Sequence, residues 1–482
     1  MIESLIAAYN LYWAGINLYN EVPLLYKLVK DKLKKNEERE GENLSLEEHP
    51  DIYVILAAYR EEKVLPHSVK KFVETPYNGK KKLYLALEED DEETQKVGYE
   101  LKEKYPDIIE TLIVGKDEKD PKGKPRALNR AFRKISEEIE KIGREEKSIV
   151  GVLDAEDIID EKLLYEVSYK LSVEDYDAIQ GILDMTNDHD GWKNLEDRAT
   201  YGWWFRKMLP AKSDSGLPLP FGGTTNFFKY KVLKEIAKYQ KEKRNIDGPW
   251  DSYNLTEDFD LGMLMYQKFF KIGALESITI EDIEKEFKLG RYKIGTISST
   301  TKEESPLTWK GWFKQKTRWE QGKLQTLKKM LKEIYHELKE MRIKEAFHPR
   351  KIPILLECLT PHLGAINLSG IGLSIYSWYH GYDLGELSPL FLYNIASIGF
   401  YSALNGFGYY LAAKDDEGKS KKELIKNSIK AVVYTPAYWL AYWLADLRAM
   451  KREYIGKLKN WEKTSHEGRH LQERSQKETP SK

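Results

Sequence analysis

Hydrophobic residues follow two alternating patterns between residues 51 and 184. Short apolar runs are separated by longer segments in which apolar positions recur at helical spacing. Strands that alternate with helices in this way usually form a parallel sheet with helices on its faces. The predicted strands are 52–58, 82–87, 111–114, 149–153 and 178–184, and the predicted helices are 63–74 and 126–144. We therefore predict an α/β domain with a mainly parallel sheet, whose ligand lies at the carboxyl ends of the strands.

Helical patterns of another kind flank this region. Residues 1–30 have apolar and aromatic side chains near helical spacing, as in an amphipathic or membrane helix, and Pro23 is expected to bend or break that helix. Three apolar stretches, 352–379, 387–413 and 431–445, follow later in the chain. Two of them are long enough to span a bilayer, but polar residues dilute them and the mean hydropathy of the chain is −0.60. We predict a helical bundle that is either membrane-spanning or compatible with water.

Composition narrows the classes of function. The chain has 482 residues, more than one core usually supports, and its net charge is −1. Because there is no global basic field, nucleic acid is not an expected partner. The single cysteine, Cys358, excludes an internal disulfide and a cysteine-rich zinc site. Abundant Lys and Glu are typical both of hyperthermophile proteins and of sequences redesigned for solubility, and the sequence does not separate these origins.

Acidic residues cluster directly after three of the predicted strands, at 57–61, 88–91 and 154–157. Each cluster alone is explained by helix caps and solvated turns, but together they would converge on one rim of the sheet. The chain has no glycine-rich phosphate loop of the Rossmann or P-loop type, so a diphosphate would need another charge partner. The carboxylates of Asp154 and Glu156 are ligands that select Mg²⁺ or Mn²⁺ over zinc or copper.

The segment Thr256-Glu257-Asp258 opens a predicted helix and offers a general base. Asp258 would take the proton from an acceptor hydroxyl as that hydroxyl attacks a sugar. The alternative is a capping residue followed by first-turn acids that interact favourably with the helix dipole.

The segment Gln315-x-x-Arg318-Trp319 lies on an amphipathic helix predicted to begin near residue 307. A spacing of three places Gln315 and Arg318 on one helix face. Arg318 can bind phosphate oxygens, and Trp319 offers an aromatic plane on which a sugar can stack. The alternative is a buried hydrogen bond and a core tryptophan.

Taken in order, these motifs resemble those of processive family-2 glycosyltransferases of the cellulose-synthase-like group, which have the GT-A nucleotide-sugar fold. The resemblance spans residues 50–470. It rests on the segments Ala58-Tyr59-Arg60-Glu61, Gly123-Lys124-x-Arg126-Ala127-Leu128-Asn129, Leu153-Asp154-Ala155-Glu156-Asp157, Phe221-Gly222-Gly223-Thr224-Thr225-Asn226, Thr256-Glu257-Asp258, Gln315-x-x-Arg318-Trp319 and Trp461-Glu462-Lys463-Thr464-x-His466.

The resemblance implies a role for each motif. Asp154 and Glu156 would hold the metal and the diphosphate, and Asp258, within Thr256-Glu257-Asp258, would be the base. On the donor side, Tyr59 and Glu61 would border the nucleobase, one of the acids at 88–91, with Glu89 and Asp90 as candidates, would contact the uridine, and Lys124 would contact the diphosphate. On the acceptor side, the floor of the site would be formed by Gly222, Gly223 and Thr224. The face that closes over diphosphate and acceptor would be formed by Gln315, Arg318 and Trp319.

Two departures from the family pattern bear on these roles. Arg60 stands where such enzymes commonly have Asn. Glu156 replaces the more frequent second Asp of the metal motif, and Asp157 is the alternative ligand. Neither departure removes a group that the chemistry requires.

The function that the resemblance implies is an inverting transfer of a hexose from a UDP-sugar donor to a growing β-linked glycan acceptor. It also implies a membrane location with a cytoplasmic catalytic domain, with a water-soluble form as the alternative, and it leaves a protein partner open. The predicted domains are a helix at 1–30, a linker at 31–50, a GT-A domain at 51–345, a helical region at 346–455 and a tail at 456–482. The rival functions are a glycoside hydrolase, which gives the metal motif no role, and a catalytically silent nucleotide-binding or glycan-binding component.

Overall fold

The structure is a computed structural model that describes residues 2–33, 48–115, 120–267, 292–380 and 388–456. The predicted linker at 31–50 and the tail from 456 lie largely outside these ranges. The helices are α1 (Ile2–Leu33), α2 (Leu65–Glu74), α3 (Glu92–Lys104), α4 (Lys124–Ile142), α5 (Leu163–Ser172), α6 (Trp192–Trp203), α7 (Leu209–Asp214), α8 (Tyr230–Arg244), α9 (Glu257–Gln267), α10 (Trp309–Lys339), α11 (Ile343–Ala346), α12 (Lys351–Tyr379), α13 (Ser388–Ala413) and α14 (Lys421–Tyr454). The strands are β1 (Asp51–Ala58), β2 (Lys81–Glu88), β3 (Ile109–Val114), β4 (Ser148–Leu153), β5 (Ile158–Ile159), β6 (Ala178–Met185), β7 (Asn226–Lys229) and β8 (Ile294–Glu303).

Packing divides the described residues into two compact units. The α/β unit takes its residues from Glu38–Leu183 and Gly216–Glu304, and the helical unit takes its residues from Met1–Glu37, Asp184–Ser215 and Ser305–Ser465. The predicted domain at 51–345 therefore does not coincide with one packing unit.

The sheet of the α/β unit has the strand order β3-β2-β1-β4-β7-β6-β8-β5 among the described residues. Strands β3, β2, β1 and β4 are parallel, and in this block Leu56 pairs with Leu153 and Ala58 pairs with Leu87, so their carboxyl ends share one edge. Strand β7 runs antiparallel to both β4 and β6. The expected mainly parallel sheet is therefore mixed, because an apolar run predicts a strand but not its direction.

Apolar side chains on both faces of the parallel strands form the core of this unit. Val54 and Leu56 on one face of β1, and Tyr53 and Ile55 on the other, are almost fully buried, as expected for a strand covered on both sides. Gly151 of β4 makes room for a neighbour, because a Cβ there would lie 2.3 Å from the Phe227 ring. The five predicted strands and both predicted helices are confirmed, whereas β5, β7 and β8 were not predicted.

The segment 184–215 packs within the helical unit because α6 and α13 approach very closely. A Cβ on Gly202 would lie 2.1 Å from the backbone oxygen of Gly408. Helix α10 belongs to the same unit, where the Trp312 and Tyr438 ring centroids are 5.3 Å apart. These contacts explain why 184–215 and 305–345 group with the helices rather than with the sheet.

The predicted terminal helices are present. Helix α1 continues through Pro23, so the expected break does not occur; a proline removes one backbone hydrogen bond, and the helix persists on both sides. Helices α12, α13 and α14 cover the three predicted apolar stretches, apart from residue 387. Across the described ranges, no helix is both long enough and apolar enough to cross a bilayer.

Candidate active site in the α/β unit

Lys124 joins three of the predicted motifs. It begins α4, its ammonium forms an ion pair with Asp154 Oδ1, and its Nζ donates a hydrogen bond to the Gly223 carbonyl at 2.9 Å. Burial alone would lower the pKa of Lys124, but the carboxylates of Asp154 and Glu257 outweigh burial and raise it. The site therefore holds a fixed positive charge where the diphosphate was predicted to bind.

Asp157 builds the turn that follows β4. Its Oδ2 accepts hydrogen bonds from the backbone N–H of Asp154 at 2.8 Å and from the Thr224 hydroxyl. Thr224 Oγ1 also accepts from the Asp154 N–H at 3.1 Å. Asp157 and Thr224 therefore position Asp154, and this structural role makes Asp157 a weaker candidate for the second metal ligand than Glu156.

A further carboxylate, Glu303 at the end of β8, lies in the electrostatic field of this turn. Burial raises the pKa of Glu303, and the carboxylates of Asp157, Asp154 and Glu156 raise it further. The pKa of Asp157 is raised by burial and then by Asp154 and Glu156. Glu303 was not predicted as a site residue because β8 was not predicted, and only its position at the end of a strand would have indicated it.

These carboxylates fit a divalent cation in their chemistry. Four acidic groups interact closely, and Asp157 Oδ1 is buried without a hydrogen-bond partner in the described structure. Within the described ranges, no group of three or more His, Cys, Asp or Glu side chains is arranged to hold a metal. The residues therefore fit an ion held by two carboxylates, with phosphate oxygens and water as its other ligands, which is usual for Mg²⁺.

The Gly222–Gly223 loop approaches Asp258. Gly223 has φ +87°, in the left-handed region, and a Cβ there would lie 3.3 Å from Asp258 Oδ2. Buried Gln180 of β6 holds this loop, because its Oε1 accepts from Gly222 N at 2.8 Å and its Nε2 donates to the Thr224 carbonyl at 3.0 Å. Gln180 was not predicted as a site residue, because it falls inside a mainly apolar strand.

Asp258 is in the first turn of α9 and is partly exposed, whereas Thr256 and Glu257 are buried. Of the three motif residues, Asp258 is thus the most accessible to an acceptor. Its position also satisfies the alternative interpretation, a first-turn acid at a helix N-terminus, so the role of Asp258 as a base stays a prediction.

Helix α4 also supports the loop that leads to α9. Asn129 donates to the Trp250 carbonyl at 2.7 Å and accepts from the Trp250 N–H at 3.1 Å. The N–H of Thr256 donates to Asn254 Oδ1 at 2.9 Å, which fixes the entry to α9. One helix therefore positions both Lys124 and the segment that carries Asp258.

The predicted nucleobase border forms a cluster after β1 and β2. Lys122 Nζ lies 3.8 Å from the centre of the Tyr59 ring and binds both oxygens of Asp90, at 2.6 and 2.7 Å. Glu61 is buried near α3, where its N–H donates to Thr94 Oγ1, and Glu89 is exposed. Tyr59 and Asp90 are thus linked through Lys122, which was not among the predicted site residues.

A buried ion pair lies directly behind this border. Arg126 of α4 binds the Glu88 carboxylate, and both side chains are buried. Burial raises the pKa of Glu88, and the Arg126 charge offsets part of that effect. Glu88 thus has a structural role, and Asp90 and Glu89 remain the acids of this segment that are accessible to a nucleobase.

Gln315, Arg318 and Trp319 lie on α10 of the helical unit, and each is partly exposed. Lys316 Nζ lies 4.0 Å from the centre of the Trp319 ring, so a cation already covers one face of this plane. The predicted role of these residues over the diphosphate stays a prediction. The segment 461–466 lies outside the described residues.

Three comparisons with known proteins bear on this site. "Probable glycosyltransferase YdaM" from Bacillus subtilis (strain 168) is 24% identical over 306 residues, which cover 62% of this chain and only 61% of that protein. The solved structure of the mannosyltransferase PcManGT from Pyrobaculum calidifontis, in complex with GDP-Man and Mn²⁺, matches with a TM-score of 0.51 at 16% identity, over 95% of this chain and 100% of that chain. At this identity the likeness shows the fold alone, an α/β fold of the GT-A type. The family model described as "Glycosyltransferase like family 2" matches residues 49–322, more than half of the chain, and the chain belongs to this family.

Proposed function

We propose that this chain is a metal-dependent inverting glycosyltransferase. It transfers a hexose from a nucleotide diphosphate sugar to a hydroxyl of a growing β-linked glycan, with Asp258 as the base. The observation that carries the proposal is that Lys124, which is paired with Asp154, binds the Gly223 carbonyl, while Asp258 lies next to the same glycine. A cation and a carboxylate next to one glycine suit a reaction in which a negatively charged group leaves and a hydroxyl loses its proton.

In the proposed reaction, the Asp258 carboxylate removes the proton of the acceptor hydroxyl as its oxygen bonds to the anomeric carbon. The bond from that carbon to the diphosphate oxygen breaks, and the electron pair leaves with the nucleotide. In this proposal Lys124, paired with Asp154, binds the diphosphate, and its positive charge stabilises the leaving group. Gly223, without a side chain, lets the acceptor approach Asp258.

Asp154 and Glu156 would hold Mg²⁺ or Mn²⁺ in this proposal. When bound, the ion neutralises charge on the departing diphosphate. The crowded carboxylates around Asp154 support a cation there, and the structural neighbour PcManGT is described with Mn²⁺. The same neighbour is described with GDP-Man, so GDP-sugars belong beside UDP-sugars among the candidate donors.

Inversion follows from a single attack assisted by one base. A retaining glycosidase instead needs a second carboxylate placed as a nucleophile about 5 Å from the first. Glu257, the carboxylate next to Asp258, is buried, so it is a poor candidate for that nucleophile. The two-carboxylate mechanism of a hydrolase also gives no role to the ion pair of Lys124 and Asp154. These observations favour transfer over hydrolysis.

The test is nucleotide release from a panel of UDP-sugars and GDP-sugars by the purified full-length chain, with Mn²⁺, with Mg²⁺ and after chelation. Asp258→Asn removes the proposed base with little change in shape. Asp107→Asn makes the same chemical change at an exposed turn and is the matched control. We expect metal-dependent release that Asp107→Asn keeps and Asp258→Asn reduces by roughly a thousandfold, the scale of general-base loss.

The other outcomes are equally clear. Release that survives in Asp258→Asn would overturn the role of Asp258. Metal-dependent nucleotide binding without release from any donor would overturn the enzyme proposal and favour the catalytically silent binding component. An α-linked product from an α-linked donor would rule out inversion.

A further inference from the structure

The helical unit contains a pocket between the 188–195 segment and the first turns of α14. Its volume is about 550 Å³, within the usual range for ligand pockets. We call it the α14 pocket; its main lining residues are Trp192, Lys422, Lys426, Asn427, Lys430 and Tyr434. None of these residues has a role in the proposed transfer reaction.

Three lysines give the α14 pocket its charge. Lys422, Lys426 and Lys430 are spaced by four residues, so they lie on one face of α14. None of the three has an ion pair or hydrogen bond in the described part of the chain. Lys212 and Lys351 of the same unit differ from them, because each forms a buried ion pair with a glutamate.

The acidic residues of the pocket do not neutralise these lysines. Asp188 is engaged by Lys419 at 2.6 Å, by Arg198 at 3.4 Å and by the Tyr409 hydroxyl. Glu423 is the other lining carboxylate, and its charge offsets one lysine at most. The α14 pocket therefore keeps a net positive charge.

Two aromatic side chains also line the pocket, Trp192 from the 188–195 segment and Tyr434, which follows Lys430 by one turn of α14. The ring centroids of Trp192 and Tyr434 are 5.8 Å apart, and those of Trp192 and Trp309 are 5.0 Å apart. Aromatic planes bind the apolar faces of sugar rings, and lysines bind carboxylate or phosphate oxygens as point charges. The pocket therefore combines two aromatic rings with a row of cations, which suits a sugar ring that carries a negative charge.

We propose that the α14 pocket binds an anionic sugar, one that carries a carboxylate or a phosphate. A nucleic acid is a poorer match because the chain has a net charge of only −1 and the lysines converge on a cavity. A membrane surface is a poorer match because a bilayer contacts a flat or convex face, whereas Trp192 and Tyr434 line a concavity. The proposal does not rest on the proposed transferase activity.

The test is calorimetric titration of the full-length chain with trigalacturonate, with glucose 1-phosphate and with neutral maltotriose, at low and at high salt. The pocket variant is Lys426→Gln with Lys430→Gln. The control is Lys421→Gln with Lys451→Gln, which removes two exposed charges from the same helix outside the pocket. We expect at least one anionic sugar to bind, maltotriose not to bind, and affinity to fall roughly tenfold in the pocket variant only.

Binding of trigalacturonate alone would identify a carboxylate ligand, and binding of glucose 1-phosphate alone would identify a phosphate ligand; both support the proposal. High salt must weaken the binding. Equal binding of maltotriose, equal losses in the two variants, or no binding of either anionic sugar would overturn it. Phosphatidylglycerol vesicles provide the last arm: lysine-dependent vesicle binding without sugar binding would replace the pocket proposal with a membrane contact.

Discussion

At the scale of single residues, Gly223 is the position where backbone conformation and chemistry meet. Its φ of +87° is strained for any side chain, and it lies against both the Asp258 carboxylate and the Lys124 ammonium. A side chain at this position would both strain the loop and crowd the carboxylate of Asp258, the proposed base.

We expect Gly223→Ala to lower turnover roughly ten- to a hundredfold, because a shift of under one ångström at Asp258 spoils the attack geometry. The left-handed backbone alone costs about 1–2 kcal/mol of folding stability. Gly143→Ala is the control, since Gly143 has φ +66° with open space around its Cβ position. Nucleotide release and thermal melts of both variants separate the effects. Equal turnover in the two variants would mean that the approach to Asp258 does not matter.

Glu196 shows how burial controls a single charge in the helical unit. Burial raises the pKa of Glu196 from its ordinary value of 4.5 to about 8, although Asn405 and Thr435 donate hydrogen bonds to it. The folded chain therefore holds a proton on Glu196 that the unfolded chain releases above pH 4.5. This group contributes its full stability below that pH, and the contribution falls as the pH rises to 8.

We expect the melting temperature to fall as the pH rises from 5 to 8. Glu196→Gln should remove the part of this fall that is due to Glu196. The amide mimics the neutral acid, so this variant should melt higher than the native chain at pH 8. One proton corresponds to a slope of at most about 1.4 kcal/mol per pH unit. Glu417→Gln, which removes an exposed carboxylate, should leave the slope unchanged. An unchanged slope in Glu196→Gln would show that Glu196 is ionised in the folded chain.

At the scale of elements, close contact between two helices joins distant segments of the chain within the helical unit. Helices α6 and α13 meet at Gly202 and Gly408, and a Cβ on Gly408 would lie 2.2 Å from the Ala199 carbonyl oxygen. Because backbone blocks this space, neither helix can accept a methyl group without moving apart.

Gly408→Ala should therefore destabilise the helical unit by about 1–3 kcal/mol, the usual cost of overpacking. Gly399→Ala on the same helix is a matched control, since nothing lies within 4 Å of its Cβ position. That control should be neutral or stabilising by up to about 1 kcal/mol, because alanine is the better helix former. Chemical denaturation measures both. A Gly408→Ala variant as stable as the control would contradict the close crossing of α6 and α13.

The sequence predicts elements better than their arrangement. Apolar runs identified β1 to β4 and β6, because strands buried on both faces are nearly continuous in hydrophobicity. The four-residue strand β7 carries too few residues for a pattern, and β8 is rich in Ser and Thr, so neither was predicted. The motif residues Lys124, Asp154 and Gly223 do come together, but Gln180 and Glu303 join them only through long-range contacts that no local pattern reveals.

At the scale of the whole molecule, ligand binding should stabilise one unit selectively. The residues proposed to hold the metal and the diphosphate, Asp154, Glu156 and Lys124, all lie in the α/β unit. A ligand that binds only the folded state stabilises it by about 2.7 kcal/mol at a hundred times its dissociation constant. For a unit of this size, each kcal/mol corresponds to about 2–4 °C in the midpoint of melting.

We expect UDP or GDP with Mn²⁺ to raise one melting transition by several degrees, and nucleotide with a chelator to raise it far less. Asp154→Asn should lose the metal-dependent part of this shift, while Asp107→Asn keeps it. The readout needs no turnover, so it separates a failed donor choice from a failed metal site. A full melting shift in Asp154→Asn would show that the metal is not held by Asp154 at the end of β4. A shift of the same size without any divalent ion would mean that Lys124 and its neighbouring cations suffice to hold the diphosphate. The carboxylates around Asp154 would then have a role other than metal binding.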